Sequence, residues 1–175
     1  MKKSIILLCA LLFSFVANAQ EIDMQPLPHK VENLELRDLR NKPTMLPYYG
    51  EKNALIFYVD PDKHRQNHEF TVEIEENKRA AGPNIEGFGI INLKNTIFPN
   101  SIVRAIARKR TEKNHATIIT DPDCIVAKEW GLGDCNNKFV LMVVSKEGEL
   151  VYCAKDDLDA AGIEAFYQLI DKYRN

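Results

Sequence analysis

The chain has 175 residues, of which 27% are charged and 45% hydrophobic, and its formal net charge is −2. This length suits one domain with a single hydrophobic core, so we do not expect a second full-sized domain. The slight acidic excess argues against nucleic acid or an anionic membrane surface as the main partner.

The first 19 residues have the three parts of a secretory signal peptide. Lys2 and Lys3 form a basic start, residues 5–16 are mostly apolar, and small residues at 17–19 precede Gln20. The apolar run is shorter than the about 20 residues that span a bilayer, which favours a cleaved signal over a membrane anchor. We therefore predict a periplasmic protein that has no membrane segment after cleavage. Cleavage removes two lysines and no acidic residue, which leaves a mature chain with a net charge of −4.

Two short segments precede the predicted core. Residues 20–30 contain Pro26 and Pro28 and show no periodicity, so we expect a flexible arm there and a single domain over residues 31–175. Residues 31–46 hold two short stretches of leucine and methionine around the turn at Asn41-Lys42-Pro43. This pattern predicts a hairpin at a sheet edge.

The central feature is the apolar run over residues 54–59, which ends at Asp60-Pro61. A continuous run predicts a strand buried on both faces, at the centre of a sheet. Asp60 can cap a following helix, Pro61 suits its first position, and Phe70 and Ile74 share one face. A ligand is expected just beyond the carboxyl end of such a strand.

The rest of the chain alternates strands and helices, which predicts an α/β fold with a central mixed sheet flanked by helices on both faces. In the helix that starts near Phe98, we expect Ile102, Val103 and Ile106 to face inward. We expect Asp159 to cap the last helix. The predicted strands are 88–93, 116–120, 139–144 and 150–154, and the predicted short helix and the loop after it are 124–130 and 131–137.

Several short segments occur in an order that resembles a known group of proteins. Residues 36–46 precede the first core strand, and four motifs follow it: Ile90-Ile91-Asn92, Ser101-Ile102-Val103-Arg104, Ile118-Ile119-Thr120-Asp121 leading to Trp130-Gly131-Leu132, and Ala154-Lys155-Asp156-Asp157. The layout resembles the thioredoxin-like superfamily, and within it the chain is similar to the small exported YtfJ-type proteins of bacteria. This resemblance implies a thioredoxin-like fold and an exported location, and it implies no particular activity.

The redox members of that superfamily differ from this chain at the decisive place. They carry a Cys-X-X-Cys motif or a peroxidatic cysteine just after the first core strand, where this chain has His64-Arg65-Gln66-Asn67. Many of them have a cis-proline before the hairpin strand, where this chain has Asn136-Asn137-Lys138-Phe139. The resemblance therefore implies a domain without the usual thiol site.

Three cysteines remain once Cys9 is removed with the signal: Cys124, Cys135 and Cys153. In an oxidising compartment they allow one disulfide and one free thiol, and their spacing does not select the pair. A helix N-terminus could lower the pKa of Cys124, whereas Cys153 has the apolar neighbours of a buried small hydrophobe. We favour a structural disulfide or inert thiols, with thiol-disulfide or peroxidase chemistry at these cysteines as the alternative.

Two further patterns could bind a metal ion. His64 and His68 are four residues apart, which on one helix face is a usable spacing for two ligands, but no motif supplies the others. Asp60, Asp62, Asp121 and Asp123 follow two strands at the same end of the sheet and could attract calcium. Two strand spacings, about 10 Å, would separate the two Asp-Pro-Asp segments, so we favour helix capping for the aspartates and a surface role for the histidines.

The basic residues 104 and 108–110 could hold an anionic partner, but we favour a solvated helix face because the chain as a whole is acidic. We therefore predict an exported, redox-inactive thioredoxin-like domain that binds a protein or small-molecule partner and uses no cofactor. We assign no catalytic residue and no metal site. The candidate partner surface comprises Asp60, Asp62, His64, His68, Asp121, Asp123 and Trp130, beside the loop 131–137.

Overall fold

The computed structural model describes residues 23–175, which form an eight-stranded mixed sheet with four α-helices. The sheet order is β1-β8-β7-β4-β5-β6-β2-β3. The strands are β1 (His29–Lys30), β2 (Glu35–Arg37), β3 (Pro43–Met45), β4 (Asn53–Val59), β5 (Ile85–Asn92), β6 (Ile118–Asp121), β7 (Phe139–Val144) and β8 (Glu149–Lys155). The helices are α1 (His68–Asn77), α2 (Asn100–Asn114), α3 (Ile125–Glu129) and α4 (Ala160–Tyr173).

Strand β4 lies near the centre of the sheet because its side chains are apolar on both faces. It pairs parallel with β5 and antiparallel with β7. Ile56 and Tyr58 point into one core layer, and Leu55 points into the other. The predicted mixed α/β sheet is confirmed, and so is the edge hairpin, because β2 and β3 pair antiparallel and β3 is the last strand.

Helices cover both faces of the sheet. On one face, Val126 and Ala127 of α3 join the core layer that contains Tyr58. On the other face, α1 and α4 meet through Phe70 and Phe166, whose ring centroids are 5.3 Å apart. Asp159 caps α4 as predicted, since its side chain accepts a hydrogen bond from the Gly162 amide at 2.7 Å.

The segment after β4 differs from the single helix that we predicted. Asp60 does act as a cap, but it caps a short 3-10 helix over Pro61–Lys63, and α1 begins only at His68. Asn67 separates the two pieces because its backbone is left-handed, with φ of 55°. His64 therefore lies before α1, and the prediction that His64 and His68 share one helix face is wrong.

Helix α2 is rotated relative to the prediction. Its buried residues are Val103, Arg104 and Ala107, whereas Ile102 is 48% exposed and Ile106 is 65% exposed. The buried guanidinium of Arg104 lies beside β6. Its Nε donates a hydrogen bond to Thr120 Oγ1 at 3.3 Å, so one of its donor groups is paired. The predicted inward position of both isoleucines is wrong.

The last residues of the predicted arm belong to the sheet. The Gln25 amide donates to the Gly131 carbonyl at 2.8 Å, and His29 and Lys30 pair with Leu150 and Glu149 of β8. Ordered structure thus starts before the predicted domain boundary at residue 31. The predicted signal peptide lies outside the described residues. Within residues 23–175, no helix has both the length and the apolar character needed to cross a bilayer.

Candidate functional site

The two predicted halves of the site, residues 60–68 and the loop 131–137, are joined through Asp60. One carboxylate oxygen of Asp60 accepts the Asp62 amide at 3.0 Å, and the other accepts the Asn137 amide at 3.0 Å. The Asp60 amide in turn donates to the Lys138 carbonyl. Asp60 is only 2% exposed, so its carboxylate holds the two segments together and is not available to a partner.

Asp121 has the same structural role at the end of β6. Its two carboxylate oxygens accept the amides of Ile125 and Val126, each at 2.9 Å, at the start of α3. The Tyr58 hydroxyl donates to Asp121 Oδ2 at 3.2 Å. Capping of both Asp-Pro segments is confirmed, and strand β5 lies between the two strands that carry them.

Trp130 is also buried and cannot face a partner. It is 1% exposed, and its indole N–H donates to the Glu32 carbonyl at 3.0 Å. Its own carbonyl lies 3.0 Å from His29 Nε2 and accepts that ring N–H. Trp130 therefore anchors the N-terminal segment to the domain, and the candidate partner surface loses this residue.

Four of the predicted partner-surface residues are exposed: Asp62, His64, His68 and Asp123. His64 is held in place because its Nδ1 lies 2.8 Å from the Pro61 carbonyl and can donate to it. Within residues 23–175, no group of three or more His, Cys, Asp or Glu side chains has the arrangement of a metal site. The exposed set is thus a polar surface at the carboxyl end of the central strands.

Two amide side chains in this region were not predicted from the sequence. Gln66 Oε1 and Asn136 Oδ1 are buried and have no hydrogen-bond partner among the described residues. One lies in each of the two segments that Asp60 joins. A buried carbonyl oxygen without a donor is costly to the fold, and because both oxygens are buried they are not available to a partner at the surface. The asparagine-rich composition of the loop 131–137 pointed to Asn136, whereas nothing in the sequence distinguished Gln66.

The three thiols lie in or against the core, and Cys135 belongs to the loop 131–137 that Asp60 joins to the segment 60–68. All three are free, and Cys124 and Cys135 belong to the core layer of Tyr58, against which Cys153 packs. Burial raises the pKa of Cys124, and it raises the pKa of Cys135 to about 12 and that of Cys153 to about 11.

The predicted activation of Cys124 by a helix N-terminus is wrong. Helix α3 has only five residues, and Cys124 precedes it in a left-handed conformation with φ of 59° and no side-chain capping bond. Asp121 already accepts the first amides of α3, and its negative charge raises the pKa of Cys124 further beyond the effect of burial.

Comparison with known proteins shows a thioredoxin-like fold. The chain is similar to the exposed lipoprotein thioredoxin of Streptococcus pneumoniae, with a TM-score of 0.57 and 14% identity over 81% of this chain and 99% of that one. It is similar to a DsbF homologue from Corynebacterium diphtheriae, with a TM-score of 0.58 and 15% identity over 91% and 98% of the two chains. It is also similar to a peroxiredoxin-like protein from Aquifex aeolicus, with a TM-score of 0.55 and 9% identity over 84% and 88%. No protein-family model and no curated protein matches the sequence. At these identities the likeness shows the fold alone.

Proposed function

We propose that this protein is an exported thioredoxin-like domain of the YtfJ type that recognises a partner and performs no thiol redox chemistry. One observation carries the proposal: the segment that follows β4 contains no thiol, and burial raises the pKa of the three cysteines that follow it in the chain. The signal-like first 19 residues support export, and a surface lipoprotein among the structural neighbours is consistent with it.

The raised thiol pKa values argue against redox turnover because the thiolate is the reactive form. A thiol with a pKa of 11 to 12 is about 10⁻⁴ ionised or less at pH 7. Burial of Cys135, which is 1% exposed, also blocks the approach of a second sulfur atom. Both factors reduce the rate of thiol exchange.

The proposed recognition surface is formed by the exposed side chains of Asp62, His64, His68 and Asp123. It lies at the carboxyl end of the central strands, where open α/β sheets bind their ligands. Exposed carboxylates and imidazoles suit a protein or small-molecule partner that donates hydrogen bonds. No cofactor is required for this role.

Thiol chemistry is the competing function, and one observation favours it. Cys124 and Cys135 share one core layer, so a local opening of the loop 131–137 would bring two thiols to solvent together. Metal binding at His64 and His68 loses the support that it had, because the two histidines do not share a helix face.

Turnover assays separate the two functions. The purified protein is tested for insulin reduction with dithiothreitol and for peroxide consumption, beside Cys124→Ala and Cys135→Ala variants. We expect rates that equal the reaction without protein, and the same rates in both variants. Turnover that either alanine substitution abolishes would show that the protein is a thiol enzyme and would refute the proposal.

A photocrosslinking experiment tests recognition directly. Benzoylphenylalanine is placed at His64 or His68 of the protein in its own cells, with Lys172 on the exposed side of α4 as the matched control. We expect a discrete crosslinked product at the two histidine positions and none at residue 172. The recognition surface is assigned wrongly if all three positions give the same products or none.

A further inference from the structure

Helix α2 and the loop before it expose an unusual amount of apolar surface. Ile97, Phe98, Ile102 and Ile106 are 79%, 52%, 48% and 65% exposed, respectively. Among residues 23–175, the one other exposed large hydrophobic side chain is Met45, on the edge strand β3. Contiguous exposed apolar patches on a folded domain mark interaction sites more often than isolated exposed residues do. We call these four residues the α2 patch.

The α2 patch continues into a basic stripe along the same helix. Ile102 and Ile106 are four apart, and exposed Lys109 and Lys113 follow at intervals of three and four, so all four side chains share the outer face. The opposite face of α2, with Val103 at its centre, packs on the domain. The stripe is therefore apolar in its first half and positively charged in its second half.

Lys109 and Lys113 form no ion pair within residues 23–175, although exposed Glu112 lies beside them on the same helix. Arg110 beside the stripe already pairs with Glu75 of α1 at 3.0 Å, which leaves the ammonium groups of Lys109 and Lys113 outside that ion pair. The first turn of α2 contains no acidic residue and has no side-chain cap, so its free amides add positive potential next to Ile102. Lys94 is exposed in the loop that leads to Ile97.

We infer that the α2 patch and its basic stripe form a docking surface for a protein partner that presents apolar side chains followed by aspartate or glutamate. The apolar groups of such a partner would cover Ile102 and Ile106, and its carboxylates would lie over Lys109 and Lys113. Complementary charge on both sides of an interface fixes the register of the partner and speeds association. This surface contains none of the residues of the proposed recognition site, so it extends the proposed function and does not depend on it.

A second copy of this chain fits the surface poorly. In an antiparallel two-fold pairing through Ile102 and Ile106, the lysines of each copy would lie over the start of the other α2, which is itself positive. In a parallel pairing, Lys109 and Lys113 would face the same lysines of the partner. Either arrangement brings like charges together, which is unfavourable. An acidic partner removes this repulsion.

The test uses a phage-displayed library of random 16-residue peptides, selected on the purified immobilised protein. Synthetic copies of the enriched peptides are then titrated by fluorescence anisotropy against the wild type and its variants. We expect the enriched peptides to combine apolar and acidic residues and to bind less tightly as salt is raised. The double substitution Ile102→Ser with Ile106→Ser should weaken binding at least tenfold, whereas Met45→Ser, which alters an exposed apolar side chain elsewhere, should not.

Charge reversal sharpens the test without altering the apolar residues. The double substitution Lys109→Glu with Lys113→Glu should weaken the binding of the acidic peptides at least tenfold. A new selection on this variant should enrich basic peptides instead. Circular dichroism and urea unfolding establish whether each variant is folded. If the double serine variant does not fold, the double variant Lys109→Glu with Lys113→Glu still decides the outcome. No enrichment, enriched peptides without acidic residues, or binding unchanged in both double variants would overturn the inference. A wild-type dimer in sedimentation that the serine pair dissociates would assign the surface to a second copy and would also overturn it.

Discussion

At the scale of single residues, Asp121 stabilises two parts of the core with one carboxylate. It is fully buried and accepts hydrogen bonds from the amides of Ile125 and Val126 and from the Tyr58 hydroxyl. Asp121→Ala removes the acceptor of the buried Val126 amide and of the half-buried Ile125 amide, and it leaves the Tyr58 hydroxyl only Cys124 Sγ at 3.3 Å, so we expect a loss of about 2 kcal/mol or more in the free energy of unfolding. Urea unfolding measures this loss. Asp123→Ala, two residues away and exposed, should change stability by about 0.5 kcal/mol or less. Equal effects of the two substitutions would contradict the capping role.

Cys135 gives a residue-scale prediction about pH. Burial raises its pKa to about 12 in the folded state, against about 8.5 in an unfolded chain. Below about pH 8.5 the thiol holds its proton in both states, and stability does not depend on this group. Between that pH and about 12, the unfolded state loses the proton while the folded state retains it, so stability falls as pH rises.

The matched variant for this prediction is Cys135→Ala. It should make the decline of stability with pH shallower by about 1.4 kcal/mol per pH unit between roughly pH 9 and 10.5. Urea unfolding at half-unit pH steps measures the slope of stability against pH. Any loss of packing in the variant lowers stability equally at every pH and leaves this slope unchanged. An identical slope in the wild type and the variant would show that Cys135 ionises normally in the folded protein.

The residues differ in how far the sequence could predict them. Asp60 and Asp121 cap the segments that follow them, and this was predictable because an N-cap depends on two or three neighbouring residues. The burial of the Cys124 thiol was not predictable, because it depends on Tyr58 and on the core layer around it, most of whose residues lie far from Cys124 in the chain. The unpaired oxygen of Gln66 could not be predicted either, because its burial does not depend on the neighbouring residues in the sequence.

At the scale of elements, the start of α1 depends on Asn67. Its left-handed backbone lets the chain turn into the helix, its Nδ2 donates to the Asp156 carbonyl at 2.8 Å, and its Oδ1 accepts the Leu158 amide at 2.9 Å. Asn67→Gly keeps the turn and loses both hydrogen bonds, at about 1 kcal/mol each. Asn67→Ala keeps the Cβ that the wild type already has in this left-handed conformation, whereas Asn67→Gly removes it and regains about 1 kcal/mol.

We therefore expect Asn67→Ala to lower the free energy of unfolding by about 2 kcal/mol and Asn67→Gly by about 1 kcal/mol. Chemical unfolding of both variants measures the difference, and hydrogen exchange of the amides in the first turn of α1 shows whether the loss is local. If the alanine variant proves as stable as the glycine variant, the backbone conformation of Asn67 is not what positions α1.

The elements also show where periodicity is a reliable guide. Strand β7 spans the predicted residues and β4 lies within one residue of its prediction, because a continuous apolar run in the middle of a sheet has no alternative face. Helix α2 was placed with the wrong face inward, because the sequence pattern weighs Ile102 and Ile106 as core residues while the fold buries Arg104 through its bond to Thr120. Exposed isoleucines on a helix are the kind of exception that a binding surface produces.

At the scale of the whole molecule, the order of elements was enough to predict a thioredoxin-like mixed sheet, but not how its edges are closed. Strand β1 has two residues and pairs with β8, about 120 positions later in the chain. A strand so short carries no detectable pattern, and its partner is set by the completed sheet. The expectation of a flexible arm followed from the same lack of periodicity.

Closure of this edge leads to a prediction for the whole domain. A variant that begins at Val31 lacks β1, the bond from Gln25 to Gly131 and the bond from His29 to Trp130, so the start of β8 at Glu149 and Leu150 loses its outer strand. Open edges pair with other chains, and we expect self-association that increases with concentration in sedimentation experiments. Hydrogen exchange should quicken for residues 149–151 of β8 and stay unchanged for β7, which remains paired on both sides.

Met45→Ser, on the opposite edge, is the control and should alter neither property. If the variant that begins at Val31 is monomeric and the exchange of β8 amides is unchanged, the pairing of β1 with β8 does not protect the edge of the sheet, and the prediction is wrong.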